Sequence, residues 1–165
     1  MKSKLIHYAK EILLFIFVMT ILANLISLYK SSDLNSGTLA LNEVTLIDNK
    51  SYIFTQEKPV LIHFWATWCP TCKVEASNIE FISKYFDVVT IAVNSGSKDE
   101  LIDYLLENDL RFNVLNDSNS YYSQEFNVAA FPTTFIYDEN KNLVFSEVGY
   151  TSTIGLFLRM WWASF

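Results

Sequence analysis

The chain has 165 residues, which is enough for one domain and an appendage. Its hydrophobic content is 51% with only 18% charged residues, and its formal net charge of −6 provides no basic surface for nucleic acid. Nucleic acid is therefore not expected as a partner. Much of the apolar excess lies near the N-terminus, which suggests that part of it does not belong to the domain core.

Residues 12–29 form an 18-residue stretch without a charged side chain, about the shortest that can span a bilayer as a helix. Three lysines precede this stretch, so the positive-inside rule places residues 1–11 in the cytoplasm and the remainder of the chain outside. A cleaved signal peptide and a buried core helix are the alternatives, although no small-x-small cleavage site follows. Residues 30–38 are polar and aperiodic, which predicts a linker.

A folded domain is predicted over residues 39–165, and it begins with extended segments. Residues 43–47 and 52–54 flank a polar turn, which predicts a hairpin. Pro59 then precedes the apolar run 60–66, which is typical of a buried central strand.

The central strand leads into Trp68-Cys69-Pro70-Thr71-Cys72, which contains both cysteines of the chain. A C-x-x-C pair between a buried strand and a helical pattern is typical of a thioredoxin-like redox site. If Cys69 caps the helix and Pro70 is its first residue, the helix dipole and free amides lower the pKa of the Cys69 thiol. Cys69 is therefore the predicted nucleophile. Cys72, in the same first turn, is the predicted resolving thiol.

The cysteine pair has two other interpretations. A structural zinc site needs four ligands, and the only histidines that the chain can add are His7 and His63. A purely structural disulfide would close a very small ring and would constrain little of the unfolded chain.

The region after Cys72 predicts alternating helices and strands. A helix to about residue 86 and a β-branched strand over 88–93 predict a right-handed βαβ unit. A capping-box pattern, Ser97 to Glu100, then begins a helix. Its predicted apolar face consists of Leu101, Leu105 and Leu106. Further predicted elements are an extended segment at 112–115, a short helix at 121–126, and strands at 134–137 and 143–148.

Residues 153–165 predict a C-terminal helix. The apolar residues that share one face by helical spacing are Ile154, Phe157, Leu158, Trp161 and Trp162. We expect this face to cover one side of the sheet. The alternative is that Trp161 and Trp162 rest at a membrane surface or dock a partner, because tryptophans suit half-wet sites.

The chain resembles a known family at two places. Trp-Ala-Thr-Trp-Cys-Pro-Thr-Cys, residues 65–72, resembles the active-site motif of membrane-anchored TlpA-like thioredoxins, including the thioredoxin of cytochrome c maturation. Residues 148–152 and 155–163 are similar to the periplasmic disulfide oxidoreductases of the suppressor-of-copper-sensitivity D type. This resemblance implies an α/β thioredoxin-like fold, a central mixed sheet flanked by helices, with a single N-terminal transmembrane helix. It also implies thiol–disulfide exchange without a cofactor or metal.

The resemblance also assigns roles beside the cysteines. In thioredoxin-like proteins the proline matching Pro132 is cis and faces the cysteines, and the preceding residue, Phe131, contacts the bound substrate chain. A trans turn proline and simple core packing of Phe131 are the alternatives. The expected substrate-binding residues are Trp68, Pro70, Thr71, Phe131 and Thr133.

Two further residues are predicted to handle protons. His63 occupies the position at which thioredoxin keeps a buried aspartate that assists the resolving cysteine, and Glu75 matches a glutamate of the TlpA-like group. The hypothesis is that His63 and Glu75 handle the proton of Cys72, with the neutral imidazole of His63 as its acceptor. The alternative is a core histidine hydrogen-bonded to the backbone, with Glu75 on a solvated face.

The resemblance implies cysteine-containing client proteins and a membrane thiol-electron donor as partners. It places the protein in a bacterial inner membrane with its catalytic domain in the periplasm. A reducing or isomerase-supporting role is favoured. The alternative is a module that binds client or copper proteins, with redox turnover secondary. Thr133 stands where the cytochrome c maturation group carries an acidic residue, which argues against apocytochrome c as the client.

Overall fold

The computed structural model describes residues 10–15, 18–19 and 37–165. Residues 10–15 and 18–19 are helical. Within these described ranges, no helix is both long and apolar enough to cross a membrane. Most of the predicted cytoplasmic N-terminus, anchor and linker lies outside the described residues, so these three assignments stay predictions.

The domain consists of strands and helices that alternate along much of the chain. The strands are β1 (Glu43–Thr45), β2 (Ser51–Ile53), β3 (Val60–Trp65), β4 (Asp87–Val93), β5 (Asn113–Asp117), β6 (Thr133–Tyr137) and β7 (Leu143–Val148). The helices that follow β2 are α1 (Pro70–Ile82), α2 (Lys98–Glu107), α3 (Tyr121–Glu125) and α4 (Thr153–Trp162). The hairpin, the capping box of α2 and the short helix are all present, with boundaries shifted by a few residues.

Five strands form a mixed sheet in the order β5-β4-β3-β6-β7. Strands β3, β4 and β5 are parallel, while β6 and β7 are antiparallel to their neighbours. All six residues of β3 are buried, as is typical of a strand with both sheet faces covered. The predicted α/β architecture, a central mixed sheet flanked by helices, is confirmed. Strands β1 and β2 form a separate antiparallel hairpin.

The sheet divides the core into two clusters because successive side chains of a strand point to opposite faces. Leu61 and Trp65 belong to the cluster that contains both cysteines, together with residues of α1, α2 and α4. Ile62 and Phe64 belong to the other cluster, with residues near the β1–β2 hairpin and Phe126 after α3. This alternation puts His63 on the same sheet face as the cysteines.

Two sequence predictions about helices are wrong in detail. Helix α1 ends at Ile82 instead of near residue 86: Ser83 is its C-cap, the Ser83 hydroxyl donates to the Glu80 carbonyl at 2.9 Å, and the next amides, of Lys84 and Tyr85, bond to carbonyls three residues back. In α2, Leu101 is buried and Leu105 is partly buried, but Leu106 is 74% exposed. The apolar side of α2 is therefore narrower than its sequence suggests.

The predicted buried face of the C-terminal helix is also wrong. Leu156, Met160 and Ala163 face the core, whereas Ile154 is 72% exposed and Trp162 is 66% exposed. The helix is apolar on nearly its whole circumference, so helical spacing alone cannot select the inward face. Packing of α4 against α1 makes that selection, and it leaves aromatic side chains on the surface.

Candidate active site

The two cysteines lie at the N-terminus of α1 and form a disulfide with Cα atoms 5.3 Å apart. Cys69 is the N-cap in extended conformation, and its Sγ accepts a hydrogen bond from the Cys72 N–H at 3.2 Å. Pro70 occupies the first turn, where the missing N–H needs no partner. The predicted cap geometry is confirmed. In the reduced state the free amides and helix dipole at this position favour a thiolate on Cys69.

Access to the cysteines is limited to a small surface. Cys69 and Cys72 are 5% and 2% exposed, while the flanking Trp68, Pro70 and Thr71 are exposed. A depression of about 320 Å³ beside the disulfide is lined by Pro70, Thr71, Val74 and Tyr150. It opens beside the two residues between the cysteines.

The loop before β6 forms another side of the site. The Phe131–Pro132 peptide bond is cis, as the resemblance implies, and Pro132 is buried. Thr133 is also buried, and its hydroxyl donates to the Ala130 carbonyl at 2.8 Å. The Pro132 carbonyl accepts from the Gly149 N–H at 2.8 Å, and Gly149 has φ +101°, a conformation that favours glycine. Thr133 therefore stabilises the loop instead of presenting its hydroxyl to a client.

Phe131 bridges the site and the core. Its ring contacts that of Trp68 edge to face, with centroids 5.7 Å apart. Trp68 in turn donates from Nε1 to the Asn94 carbonyl at 3.1 Å. Phe131 is half-buried and packs against both core clusters. Both interpretations of this residue thus have support, because it is next to the motif and also part of the packing.

Glu75 is fully buried one helical turn after Cys72. Its Oε1 accepts a hydrogen bond from the Thr151 N–H at 3.0 Å. Its Oε2 has no hydrogen-bond partner among the residues that the structure describes. Burial is the main cause that raises the pKa of Glu75 to about 8; the Thr151 hydrogen bond lowers it and the charge of Glu147 raises it further. The alternative of a solvated Glu75 is therefore wrong, and the carboxyl group is protonated over much of the neutral range.

His63 is buried on β3, where its Nδ1 is hydrogen-bonded to Oγ1 of Thr134 at 2.9 Å. Burial lowers the pKa of His63 to about 3, so the imidazole is neutral near pH 7. The hydrogen bond joins His63 to a side chain, not to the backbone as the core-histidine alternative supposed. His63 and Glu75 therefore lie on the same side of the sheet but have different partners. His63 is hydrogen-bonded to β6, and Glu75 is hydrogen-bonded to the loop before α4.

The residue range matched by a known family covers most of the domain. Residues 33–146 match the AhpC/TSA family. The chain belongs to this family. A thioredoxin-like protein of Haemophilus influenzae is 33% identical over 132 residues, which cover 76% of this chain and 78% of the relative. The thiol:disulfide interchange protein DsbE of the same organism is 34% identical over 106 residues, 60% of this chain and 57% of the relative. The chain thus spans little more than half of DsbE.

Solved structures of similar fold come from two further bacteria. StoA of Bacillus subtilis superposes with a TM-score of 0.65 at 20% identity, over 73% of this chain and 98% of StoA. The exposed lipoprotein thioredoxin of Streptococcus pneumoniae gives 0.64 at 22% identity, over 72% and 96%. At these identities the likeness shows the thioredoxin-like fold alone. Thiol–disulfide oxidoreductases among the sequence relatives agree with the predicted enzyme class, a protein disulfide oxidoreductase.

Sequence reasoning missed the residues that hold Glu75 in place. Asn78 donates from Nδ2 to the Thr151 carbonyl at 3.0 Å and to the Tyr150 hydroxyl at 3.2 Å, and its Oδ1 accepts from Thr153 at 2.8 Å. Asn78 thereby ties the loop before α4 to α1. The only signal in the sequence was the resemblance at residues 148–152, which marked this loop without assigning it a contact. Among the residues that the structure describes, no three His, Cys, Asp or Glu side chains are grouped as a metal site.

A Phe131→Thr variant tests the two roles of that residue. We expect it to lose about 1–2 kcal/mol of unfolding free energy, since a half-buried ring is truncated, and to shift the reduction potential of the cysteine pair. Urea unfolding and equilibration with glutathione measure the two effects. Phe86→Thr is the matched control, because Phe86 is also half-buried against the same cluster but at the far end of α1. A shift in potential that is equal in both variants would assign Phe131 to packing alone.

Proposed function

We propose that this chain is a membrane-anchored periplasmic thiol–disulfide oxidoreductase that reduces disulfides of client proteins. The observation that carries the proposal is the position of Cys69, which caps α1 and is bonded to Cys72 one turn along. A helix N-terminus favours a thiolate at the cap, and the neighbouring depression leaves room for a client segment. The relatives named as thiol–disulfide oxidoreductases support the same chemistry.

The reaction proceeds in two exchanges. The Cys69 thiolate attacks one sulfur of the client disulfide, so a Cys69–client bond forms while the other client sulfur leaves as a thiolate. The Cys72 thiolate then attacks Sγ of Cys69, which forms the Cys69–Cys72 disulfide and releases the second client thiolate. Two electrons pass to the client. A membrane thiol donor returns two electrons to the cysteine pair in the next cycle.

The second exchange requires Cys72 to lose its proton in a buried place, where the pKa of a thiol rises. Glu75 is the better proton acceptor of the two predicted residues in its ionised form, which is the minor form at pH 7 and about half of the population at pH 8, because its pKa of about 8 is close to that of a thiol. His63, with a pKa of about 3, is a much weaker base. In this proposal Glu75 exchanges the proton through its unpartnered Oε2, and His63 orients β3 against β6 through Thr134.

The client-binding surface is proposed to consist of Trp68, Pro70, Thr71 and Phe131, with Pro132 facing the cysteines. The first three are exposed and surround the disulfide, and the Trp68–Phe131 ring contact connects them to the cis-proline loop. The proposed location is the outer face of a bacterial inner membrane, with residues 12–29 as the anchor. The charge pattern around that apolar run supports this orientation.

An insulin-reduction assay with dithiothreitol as electron source tests the proposed activity. We expect catalytic precipitation of the insulin B chain at substoichiometric protein, with many turnovers per chain. The control is a Cys69→Ser, Cys72→Ser double variant, which keeps the surface but has no thiols. Binding of reduced clients without any turnover would favour the alternative, a module that holds client or copper proteins.

A further inference from the structure

Helix α4 ends in a group of exposed aromatic side chains that the redox chemistry does not use. Trp161, Trp162 and Phe165 are 51%, 66% and 93% exposed, and together they line an open depression of about 500 Å³. The rings of Trp161 and Phe165 contact each other edge to face at 5.0 Å. We call these three residues the C-terminal aromatic cluster. None of the three side chains carries a charge, and all three line the same depression, so together they expose apolar surface to solvent.

The C-terminal aromatic cluster lies at the end of the domain opposite the disulfide. Helix α4 begins next to Thr151, which bonds to Glu75 near the cysteines, and its ten residues span about 15 Å. At its far end, Ser164 lines a cleft of about 550 Å³ together with Pro59 and Glu139. Pro59 directly precedes β3, whereas Cys69 follows the other end of that strand.

The chain enters the domain at this same far end. The Leu39 N–H donates to the Lys141 carbonyl at 2.9 Å, and Lys141 lies in the same β6–β7 turn as Glu139. Leu39, which directly follows the predicted linker, therefore lies at the same end of the domain as the C-terminal aromatic cluster. Nine residues extend to at most about 30 Å, so an anchor at 12–29 keeps this end close to the bilayer.

We propose that the C-terminal aromatic cluster rests in the interfacial layer of the membrane and orients the disulfide away from it. The inference rests on the anchor in the proposed function. Tryptophan suits this layer because its ring is apolar and its N–H is polar. The adjoining cleft is lined by charges of both signs, from Lys58, Lys84, Glu57, Asp87 and Glu139. The contact therefore does not require anionic lipid, and added salt should have little effect on it.

Tryptophan fluorescence of the full chain in phosphatidylcholine nanodiscs, assembled with a scaffold protein that lacks tryptophan, tests this orientation. The four tryptophans are Trp65, Trp68, Trp161 and Trp162, and none lies in residues 12–29, so the signal reports on the domain alone. Replacing the lipid by its brominated form should quench about half of the emission, because two of the four indoles face lipid. Trp65 is buried and Trp68 lies at the disulfide end, so neither should be quenched.

Matched variants show which tryptophans are quenched by the brominated lipid. A Trp161→Ser, Trp162→Ser double variant should lose the quenching, and Trp162→Ser alone should lose part of it. Trp68→Phe, which removes the other exposed indole, should retain it. Both tryptophans of the cluster are exposed, and circular dichroism checks that the fold is kept. Quenching that persists in the double variant would place Trp68 against lipid and overturn the orientation.

Two measurements distinguish failure of this inference from failure of the proposed anchor: whether chains are incorporated into discs, and how many chains each disc holds. Chains that are incorporated into discs without any quenching would contradict the membrane contact but leave the anchor intact. Two chains per disc, with no quenching, would assign the cluster to a second copy of the chain and also overturn the inference. Chains that do not enter discs would remove the anchor, and with it the basis of the contact. The insulin assay is independent of all three outcomes.

Discussion

Replacing Cys69 by serine is expected to reduce insulin reduction to the uncatalysed background, whereas Cys72→Ser should trap a client on Cys69. The physical reason is the asymmetry of the α1 N-terminus. Cys69 caps the helix and receives the Cys72 N–H, while Cys72 lies inside the first turn and is 2% exposed. Without Cys72 no thiolate is placed to attack the mixed disulfide, so its release depends on an external thiol.

Single-turnover mixing with a client peptide disulfide, followed by non-reducing electrophoresis, measures both effects. Cys72→Ser should give one adduct that dithiothreitol removes, and Cys69→Ser should give almost none. A Ser77→Ala variant is a suitable control for substitution on the exposed side of α1. An adduct on Cys72 in the Cys69→Ser variant, at a comparable rate, would reverse the assigned roles.

A Glu75→Gln variant should change both the pH dependence of stability and the release step. Glu75 has its pKa raised from 4.5 to about 8 by burial. Below pH 4.5 the carboxyl group is protonated in both the folded and the unfolded chain. As pH rises from 4.5 to 8, the unfolded chain ionises first, so the wild-type protein loses stability over this window. Glutamine keeps the bond from Thr151 and removes this loss.

We therefore expect Glu75→Gln to be more stable than wild type at pH 9, by on the order of a few kcal/mol, and similar at pH 4. Urea unfolding at both pH values measures this difference. Glu107→Gln, a substitution at an exposed position on α2, controls for loss of a carboxylate. His63 has a lowered pKa and loses stability as pH falls from 6.5 to about 3, but it does so equally in both proteins.

The same variant should slow release of the Cys69 mixed disulfide roughly 10–100-fold near pH 8, where about half of Glu75 is ionised and can accept a proton, and by less at pH 6. The initial attack by Cys69 should be little changed. His63→Asn provides the comparison, and its effect on release should be smaller than that of Glu75→Gln. Unchanged release in Glu75→Gln would leave the stability effect intact but remove Glu75 from the proton pathway.

The redox motif was predictable from sequence because its chemistry is local. A capping cysteine, a proline in the first turn and a second cysteine one turn along need no information beyond a few residues. Burial of Glu75 was not predictable in the same way. It depends on Thr151 and Asn78, which come together only when α4 packs against α1. Distant contacts of this kind leave no periodic signal in the chain.

The inward face of α4 illustrates a different limit. Its sequence is apolar at almost every position, so amphipathic spacing offers two solutions, and the chosen one buries Leu156 and Met160. The error is informative, because it concerns a helix with more apolar surface than the core can use. Because α4 is apolar around most of its circumference, the sequence does not reveal its inward face. The same property leaves apolar side chains on its outer surface, where they can contact a membrane.

The β1–β2 hairpin has a consequence for how the chain can be shortened. The Ile47 N–H donates to the Val114 carbonyl at 2.8 Å, so the segment that joins the two hairpin strands covers the open edge of β5. Leu39 similarly fastens the start of the domain to the turn after β6. A chain trimmed to begin just before Val60 would keep every residue of the redox motif. It would also uncover a strand edge that can pair with another molecule, so such a chain should self-associate in solution.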